Sequence, residues 1–478
     1  IVNHNLFGLD IDGRAVQLAY FAVIMKARQY DRRFFSRKIQ PHVYEILESN
    51  DVDEISAEHF CNGDSAVEND VKAILVTFRD AKEYGSILQM PMIDFGKINE
   101  RFVQLADEVS LYNTYLLDDF QKLVRVAEVM SGKYAVVATN PPYLNKFDAK
   151  LKAFIADNYN DYKGDLFSVF MYRNFDFCIA NGYLSFMTPN VWMFIKTYEK
   201  LRSFISNEKN ITSLIQMAKG AFFKEATVDI CAFTCVNGMD DSSGIYIRLE
   251  NFKGDMEVQR IKTLEAIETQ NESMYFEANA HDFKKIPGSP IAYWASKNMV
   301  SAFSYRKFSE VSISNGQNIT GNNNRFLRLF WEVDDTHISE DYWVKCARGG
   351  GYRRYHGNDD NVILWTDAAR EHYHKDNIAR IIPKELRFRE GITWSYITSG
   401  KPSFRKLWSY QLFEKAGSSI FIKNTAYLNS LLGLLNSVVA TKLLEFINPT
   451  INYQVRDILF FPIAPNVLEN NAITSLVE

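Results

Sequence analysis

A short apolar segment that stops at two prolines constrains the fold of this chain more than any other feature. Residues 133–139 (KYAVVAT) are small or β-branched and lead directly into Asn140-Pro141-Pro142-Tyr143. Such a composition is typical of a buried strand. Proline has no backbone N–H and cannot extend a central strand. The chain is therefore expected to turn at residue 140, with Asn140 at the carboxyl end of a strand.

Strands and helices alternate on both sides of this turn. The strand expected over 5–12 (NLFGLDID) ends on two acids and is followed by a helix over 14–28. Further strands are expected at 42–49, 182–188, 212–217, 229–236 and 246–249, the last two as a pair, with helices at 148–157, 165–179 and 199–208 and a mostly helical insertion over 52–130. This alternation predicts an α/β fold with a mainly parallel, doubly wound sheet.

The residue pattern of the sequence changes near residue 280, and Ile286-Pro287-Gly288-Ser289-Pro290 predicts a domain boundary. We predict one domain over 1–280 and an irregular α+β domain over 281–478. The second domain is expected to contain a helix at 428–446 and a closing strand at 458–463.

Composition excludes several classes of protein. The chain has 478 residues and a net charge of −4, so any nucleic-acid surface has to be local. Apolar runs are too short for a membrane span. The five cysteines include no C-x-x-C pair, which argues against a disulfide scaffold or structural zinc and favours a cytoplasmic protein. No phosphate-binding G-x-x-x-x-G-K-[ST] motif occurs.

The turn at 140–143 offers specific chemistry. The Asn140 side-chain oxygen and the Pro141 carbonyl are two neighbouring acceptors, which suit an exocyclic amino group with two N–H donors. Tyr143 offers a flat face on which a base can stack. A base in a duplex has to leave the helix before it can bind in this way. The alternative is that residues 140–143 form only a rigid turn.

Two acids end the first strand. In α/β sheets a carboxylate at the end of a second strand commonly binds the ribose of a nucleoside cofactor. We assign this role mainly to Asp10. Asp12 precedes Gly13 and a helix, and is assigned mainly to capping that helix.

At these residues the sequence resembles amino-group DNA methyltransferases that use S-adenosylmethionine. Residues 140–143 match their catalytic motif in its adenine-N6 form, residues 6–14 resemble their ribose-binding strand, and residues 164–167, 182–192 and 222–228 resemble later motifs. The phrases at 284–294, 349–358, 389–395 and 432–458 are similar to the gamma-type adenine methyltransferases of the BREX phage-defence system.

The resemblance implies a Rossmann-like methyltransferase domain followed by a target-recognition domain. It implies S-adenosylmethionine as cofactor, no metal, double-stranded DNA as substrate, and other BREX proteins as partners. Asp51, after the second strand, is the nearest candidate for contact with the cofactor's adenine. Phe223 is a candidate for the base pocket, with a place in the core as the alternative.

One departure from the family concerns the glycine-rich cofactor loop, which is expected upstream of Leu6 on a strand between those ending at Asp10 and Asn140. Only five residues precede Leu6, and none forms that loop. We therefore expect this sequence to be the C-terminal part of a longer protein that binds cofactor poorly by itself.

The segment 345–406 is locally basic, with 13 Lys or Arg and 7 Asp or Glu, and it is interleaved with aromatic residues. Positive charge with planar side chains suits a DNA-facing surface. The candidates for DNA contact are Arg348, Arg353, Arg354, Arg389 and Arg405. The alternative is a solvated charged face.

Two other functions remain open at this point. The chain could be a DNA-binding module, or a truncated methyltransferase, that does not methylate. Asp10-Ile11-Asp12-Gly13 also resembles the nucleophile loop of haloacid-dehalogenase-like phosphatases, although Arg14 stands where that loop has Thr or Ser and residues 140–143 would have no role.

Overall fold

The structure, a computed structural model, describes residues 1–52, 54–107, 111–222, 228–448 and 451–477. The strands are β1 (Phe7–Asp10), β2 (His42–Glu45), β3 (Tyr134–Thr139), β4 (Cys178–Pro189), β5 (Asn210–Gln216), β6 (Ile230–Val236), β7 (Gly244–Arg248), β8 (Tyr275–Ala278), β9 (Ser312–Ile313), β10 (Leu327–Leu329), β11 (Trp343–Ala347), β12 (Asn361–Leu364), β13 (Gly391–Trp394), β14 (Phe404–Leu407), β15 (Leu412–Phe413) and β16 (Ser419–Ile422).

The α-helices are α1 (Gly13–Tyr30), α2 (Glu54–Cys61), α3 (Ser65–Thr77), α4 (Ala81–Tyr84), α5 (Phe95–Asp107), α6 (Leu111–Ser131), α7 (Ala149–Asn158), α8 (Leu166–Phe177), α9 (Glu199–Glu208), α10 (Met256–Thr269), α11 (Ala280–Phe283), α12 (Lys297–Ala302), α13 (Phe308–Val311), α14 (Asn323–Phe326), α15 (Asp367–Lys375), α16 (Leu428–Leu435), α17 (Val438–Ile447), α18 (Val455–Leu459) and α19 (Asn471–Val477). The mixed α/β class is confirmed.

The chain divides into two compact units. The first contains residues 1–188 and 232–239, and the second contains residues 189–231 and 240–478. The domain boundary near residue 280 stays a prediction.

The first unit contains parallel strands joined by helices. Strand β1 pairs in parallel with β2, from Phe7 opposite His42 to Asp10 opposite Glu45, and α1 makes the crossover between them. Strand β3 pairs in parallel with β4, with Thr139 opposite Phe186. Because parallel strands place their carboxyl ends at the same edge, Asn140 and the end of β4 lie on one side of their sheet.

The stretch expected as a helical insertion forms helices α2 to α6. These helices share a core with the neighbouring strands, in which Phe60, Ile74 and Leu105 are fully buried and Val137 of β3 packs against the cluster. The rings of Phe60 and Phe102 lie 4.7 Å apart. The insertion therefore packs against the strands that carry the site.

Strand β4 begins earlier than predicted. The sequence predicts a helix to residue 179 and a strand from 182, whereas α8 ends at Phe177 and β4 begins at Cys178. Asn181 takes the left-handed conformation with φ of 59°, and the register with β3 shifts between Tyr134 and Val136. This irregularity at Asn181 and Gly182 lets the strand continue where the sequence suggests a break.

The first strands of the second unit include a parallel pair, as expected for an α/β sheet. Strand β5 pairs in parallel with β7, and β7 pairs antiparallel with β8. The predicted pairing of β7 with the strand at 229–236 is wrong, because β5 and β8 occupy both of its edges. Tyr246 and Ile247 point to opposite faces of β7 and are both buried, which fits an interior strand better than a hairpin arm.

The remainder of the second unit contains two four-stranded sheets, ordered β10-β12-β11-β15 and β14-β13-β16-β9. The single helix predicted at 428–446 is wrong, because α16 and α17 meet at an angle of 81°. Ser437 accepts a hydrogen bond from the N–H of Ala440 and so begins a new helix. No single described helix is long and apolar enough to cross a membrane. Among the described helices, only this bent pair, over 425–447, has the length and composition of a membrane span.

The closing strand predicted at 458–463 is also wrong. Residues 455–459 form α18, whose start is capped because the Asp457 carboxylate accepts the N–H of Gln454 at 2.8 Å. Among the described residues beyond it, only an isolated bridge pairs Pro462 with Lys307. Pro462 has no N–H to donate to a ladder.

Candidate active site

The turn after β3 is open at its first residue. The Asn140 side chain is exposed, Pro141 is buried and Tyr143 is half-buried. The Tyr143 hydroxyl lies 2.9 Å from Asn140 Oδ1 and 3.1 Å from the Met187 carbonyl oxygen. A hydroxyl has one proton and donates to one of these oxygens at a time. Asn140 Oδ1 therefore keeps acceptor capacity for a ligand.

Asp165 holds the far side of this turn, a role that the sequence reasoning missed. Its Oδ1 accepts the N–H of Leu144 at 2.9 Å and the N–H of Phe167 at 3.2 Å. The Leu166 N–H donates to the Leu144 carbonyl at 2.8 Å. Burial raises the pKa of Asp165 above its usual value, against the effect of these N–H donors. The N-cap residue of α8 thus also fixes the end of the Asn140–Tyr143 turn, and an Asp before an aromatic helix was the signal for it.

The two acids after β1 have different surroundings. Asp12 Oδ1 accepts the Arg14 N–H at 2.9 Å, and its Oδ2 pairs with the Arg14 guanidinium at 2.7 Å. The hydrogen bond from the Arg14 side chain holds the pKa of Asp12 at about 2. Asp10 is exposed at the end of β1, and its Oδ1 accepts the Asp12 N–H at 2.9 Å. Asp12 therefore caps α1, and the exposed Asp10 carboxylate fits the hydroxyls of a ribose.

The residues after β2 bind mainly to the chain itself. Ser49 Oγ donates to the Leu75 carbonyl at 2.6 Å. Asn50 and Asp80 exchange two hydrogen bonds of 2.9 Å each. Asp51 is exposed and remains the candidate for contact with the cofactor's adenine. The other pocket candidate, Phe223, lies outside the described residues.

A cleft separates β1 from β3. Strand β1 pairs with β2 alone, and β3 pairs with β4 alone, among the residues that the structure describes. Their free edges line a cavity of about 450 Å³, and a second cavity of about 1030 Å³ shares Phe7, Tyr134 and Val136 with it. Val136 is 62% exposed on the β3 side, and Leu18 is 71% exposed on α1, a helix with no buried residue. The edges of β1 and β3 that line this cleft are thus unpaired within the described part of the chain.

The five candidate DNA-binding arginines differ in exposure. Arg353 and Arg354 are exposed, and the Arg354 guanidinium lies 5.4 Å from the centre of the Tyr352 ring. Arg348 pairs with Glu414 at 3.3 Å, and Arg389 donates to the Ile422 carbonyl at 3.1 Å. Both of these are half-buried.

Arg405 is the exception. Only 1% of it is exposed, so its guanidinium does not lie on a surface that DNA can reach in this conformation. The exposed positive charge of segment 345–406 is therefore smaller than the charge counted from its sequence.

The loop that carries Arg353 and Arg354 is anchored to neighbouring strands. The Gly350 N–H donates to Ser395 Oγ at 3.1 Å, and the Tyr355 N–H donates to the Phe404 carbonyl at 2.8 Å. Residues 350–352 and 397–401 line an open groove of about 710 Å³.

Candidate metal ligands do not assemble among the described residues, in which no three His, Cys, Asp or Glu side chains lie together. All five cysteines are buried. The His372 ring stacks on Phe326 at 4.6 Å. Metal-free chemistry stays a prediction.

Comparison with known proteins agrees with the resemblance seen in the motifs. Residues 4–223 match the model of the Eco57I restriction-modification methylase family. The chain is 31% identical to the adenine-specific methyltransferase PglX of Lacticaseibacillus casei (strain Zhang) over 98% of its length. It is 28% identical to the adenine-specific methyltransferase BrxX of Escherichia coli O9:H4 (strain HS) over 100% of its length. The chain spans 42% of the length of each of these relatives.

A solved structure of the type IIL restriction-modification enzyme MmeI in complex with DNA matches with a TM-score of 0.46 and 14% identity, covering 77% of this chain and 51% of that one. The match with the two curated relatives covers both units. The chain is thus homologous along its length to proteins named adenine-specific methyltransferases, which agrees with the resemblance predicted from the motifs.

Proposed function

We propose that this chain carries the adenine-binding site and the DNA-reading surface of a methyltransferase that modifies adenine N6 in double-stranded DNA. One observation supports the chemistry more than any other. The exposed Asn140 amide stands at the carboxyl end of β3, in a turn that Tyr143 and Asp165 hold from both sides. A target amine can approach acceptors that are already positioned.

The residues of the turn would act directly on the amine. Asn140 Oδ1 and the Pro141 carbonyl would accept its two hydrogens, which draws the nitrogen lone pair out of conjugation with the ring. S-adenosylmethionine supplies the methyl group when bound. The new N–C bond forms as the S–C bond breaks, and the amine then loses one proton. Pro142 keeps the turn rigid, and the Tyr143 ring would stack on the adenine after it leaves the duplex.

The cofactor would bind across the first unit. Asp10 would hold the ribose hydroxyls and Asp51 would lie near the cofactor's adenine. We infer that a further strand seats between β1 and β3, because both edges that line this cleft are unpaired among the described residues. Without it, residues 1–478 are expected to bind S-adenosylmethionine poorly.

The second unit would hold the DNA. Arg353 and Arg354 are exposed on an anchored loop beside Tyr352, which suits contacts to phosphates and base edges. Arg348 and Arg389 would support this surface from half-buried positions. Action in the cytoplasm, as part of BREX phage defence with other BREX proteins, belongs to the same proposal.

Labelled methyl groups provide the test. The full-length protein is incubated with duplex DNA and S-adenosylmethionine carrying a labelled methyl group, and the DNA is digested to nucleosides. The expected label lies in N6-methyladenine. Label in a cytosine derivative, or none in DNA, would contradict the proposal.

A second function, DNA binding without methylation, is favoured by one observation, the open cleft on the cofactor side. Filter binding that detects DNA while the same full-length protein transfers no methyl group would support it. The phosphatase alternative has less support, because Arg14 engages the carboxylate of Asp12.

A further inference from the structure

Arg405, on β14, is a buried cation with an unsatisfied edge. Its Nη1 lies 3.5 Å from the Ser403 carbonyl. Its Nε and Nη2 have no hydrogen-bond partner in the part of the chain that the structure describes. Burial lowers the pKa of Arg405 to about 10. An arginine in this state destabilises the fold unless an anion meets it.

The two unsatisfied nitrogens point the same way. In a guanidinium, Nε–H and the neighbouring Nη2–H form one edge with two parallel donors. This edge matches two oxygens of one phosphate or carboxylate. The nearby acid, Asp359, acts on Arg405 through its charge but makes no hydrogen bond with it among those observed. The free edge therefore has the geometry of an anion-binding group.

A short segment pairs beside Arg405 in a conformation that costs energy. Residues 352–358, here named the cover segment, pair with the edge of β14 at Tyr355, whose carbonyl accepts the Lys406 N–H at 2.9 Å. Tyr355 has φ of 67° and Asn358 has φ of 59°, with Gly357 at 113° between them. The left-handed region disfavours a tyrosine. The cover segment is thus held against β14 at a cost in backbone strain.

We propose that Arg405 is a DNA phosphate contact that the cover segment shields until DNA binds. Release of the segment from β14 would expose the Nε–Nη2 edge to a phosphate, relieve the strain at Tyr355, and carry the exposed Arg353 and Arg354 toward the same backbone. The inference rests on the proposed DNA binding and adds to it a contact that is absent from the surface of the DNA-free protein.

The variant Arg405→Met tests this inference, because it is expected to raise the stability of the protein and to lower its affinity for DNA. Methionine fills a similar volume without charge, so the melting temperature Tm is expected to rise. DNA affinity is expected to fall about tenfold for all sequences alike, as for a lost phosphate contact. The slope of log affinity against log salt is expected to become shallower by about 0.9.

Arg353→Met is the matched control in the same surface. Arg353 is exposed, so its replacement should weaken DNA binding without raising Tm. If Arg405→Met lowers Tm, the guanidinium is a structural group and the inference is wrong. If Arg405→Met raises Tm and leaves DNA affinity unchanged, the inference is also wrong while the proposed function stands. Failure of the wild-type protein to bind DNA would overturn both.

Hydrogen exchange gives a readout that needs no substitution. The N–H groups of Tyr355 and Lys406 donate across the junction between the cover segment and β14. Saturating duplex DNA is expected to increase their exchange, although binding usually slows exchange at a contact surface. Slower or unchanged exchange at both amides would overturn the inference.

Discussion

Two parts of the first unit, the turn at 140–143 and the end of β1, differ in how firmly the rest of the chain holds them. The turn follows a paired strand, has buried Pro141 at its centre, and is fixed by Tyr143 and Asp165. The end of β1 lies in a two-stranded sheet whose other edge is unpaired among the described residues, beside α1, which has no buried residue. The proposed acceptor side is held by contacts within this chain, whereas the proposed cofactor side has strand edges that no described residue pairs.

The difference shows which parts of the proposed site this chain holds in place by its own contacts. The Leu144 N–H, at the end of the turn, is satisfied by the Asp165 carboxylate of the same chain. The edges of β1 and β3 at the cleft have backbone groups with no strand partner in the described part of the chain, and a further strand could pair with them. Substitutions on the two sides should therefore have different readouts, turnover on one and cofactor affinity on the other.

The largest effect is expected for Asn140→Ala. Loss of the side-chain acceptor should reduce methylation by the full-length protein about a thousandfold, as for other preorganised catalytic hydrogen-bonding groups. DNA affinity should be largely unchanged, because the phosphate contacts lie elsewhere. Single-turnover methylation and filter binding measure the two effects. Asn145→Ala, an exposed asparagine in the same loop, is the matched control and should methylate normally. Normal methylation by Asn140→Ala would show that the chemistry is assigned to the wrong residue.

Asp165→Ala is expected to have the next largest effect. Without the bond to the Leu144 N–H, the turn can shift, and a displacement of about 1 Å lowers turnover about a hundredfold. The KM for DNA should change little, so the loss should appear in kcat.

Asp165→Asn separates positioning from charge. Asparagine keeps the Oδ1 acceptor and removes the ionisable carboxyl, whose pKa burial raises. We therefore expect kcat and stability to be retained at neutral pH. Asp148→Ala, which caps α7 through the Leu151 N–H at 2.9 Å but does not bind the turn, should keep kcat. If Asp165→Asn is as inactive as Asp165→Ala, Asp165 acts by more than positioning.

Asp10→Ala should weaken S-adenosylmethionine binding to the full-length protein about tenfold through the loss of one charge-assisted hydrogen bond. kcat at saturating cofactor should be retained. Calorimetry measures the affinity, and Asp31→Ala, at the other end of α1, is the control. Unchanged affinity in Asp10→Ala would remove Asp10 from the cofactor site.

The smallest effect is expected for Asp12→Ala. Asp12 has a folded-state pKa of about 2, below its ordinary value of 3.8. Its stabilising contribution is therefore present above pH 4 and is lost as the pH falls through about 2. Thermal unfolding should show a small decrease in Tm at pH 7 that disappears near pH 2. A decrease that persists at the lowest pH would show that the carboxylate charge is not its cause.

The sequence was sufficient for elements whose signals are local. Helix α9 has the predicted bounds, 199–208, and β3 ends at Thr139 as the prolines require. The capping role of Asp12 also follows from its neighbours in sequence. These features depend on backbone chemistry within a few residues, and such chemistry can be predicted from one sequence.

Features that depend on distant packing were not predictable. The helix over 428–446 is apolar throughout, and nothing in its periodicity marks the 81° bend at Asn436 and Ser437. Arg405 belongs to a basic sequence segment but is buried in β14, since the strand's neighbours decide which face is covered. The second partner of Asp165, the Leu144 N–H, lies 21 residues away.

The contrast between the two sides of the first unit is tested most directly by calorimetry of residues 1–478 alone. S-adenosylmethionine and duplex DNA are titrated separately into the same preparation. We expect DNA to bind and the cofactor to show no micromolar binding, because the edges of β1 and β3 that would flank the proposed strand are unpaired among the described residues. Micromolar binding of S-adenosylmethionine to this chain would contradict the account of an incomplete cofactor side.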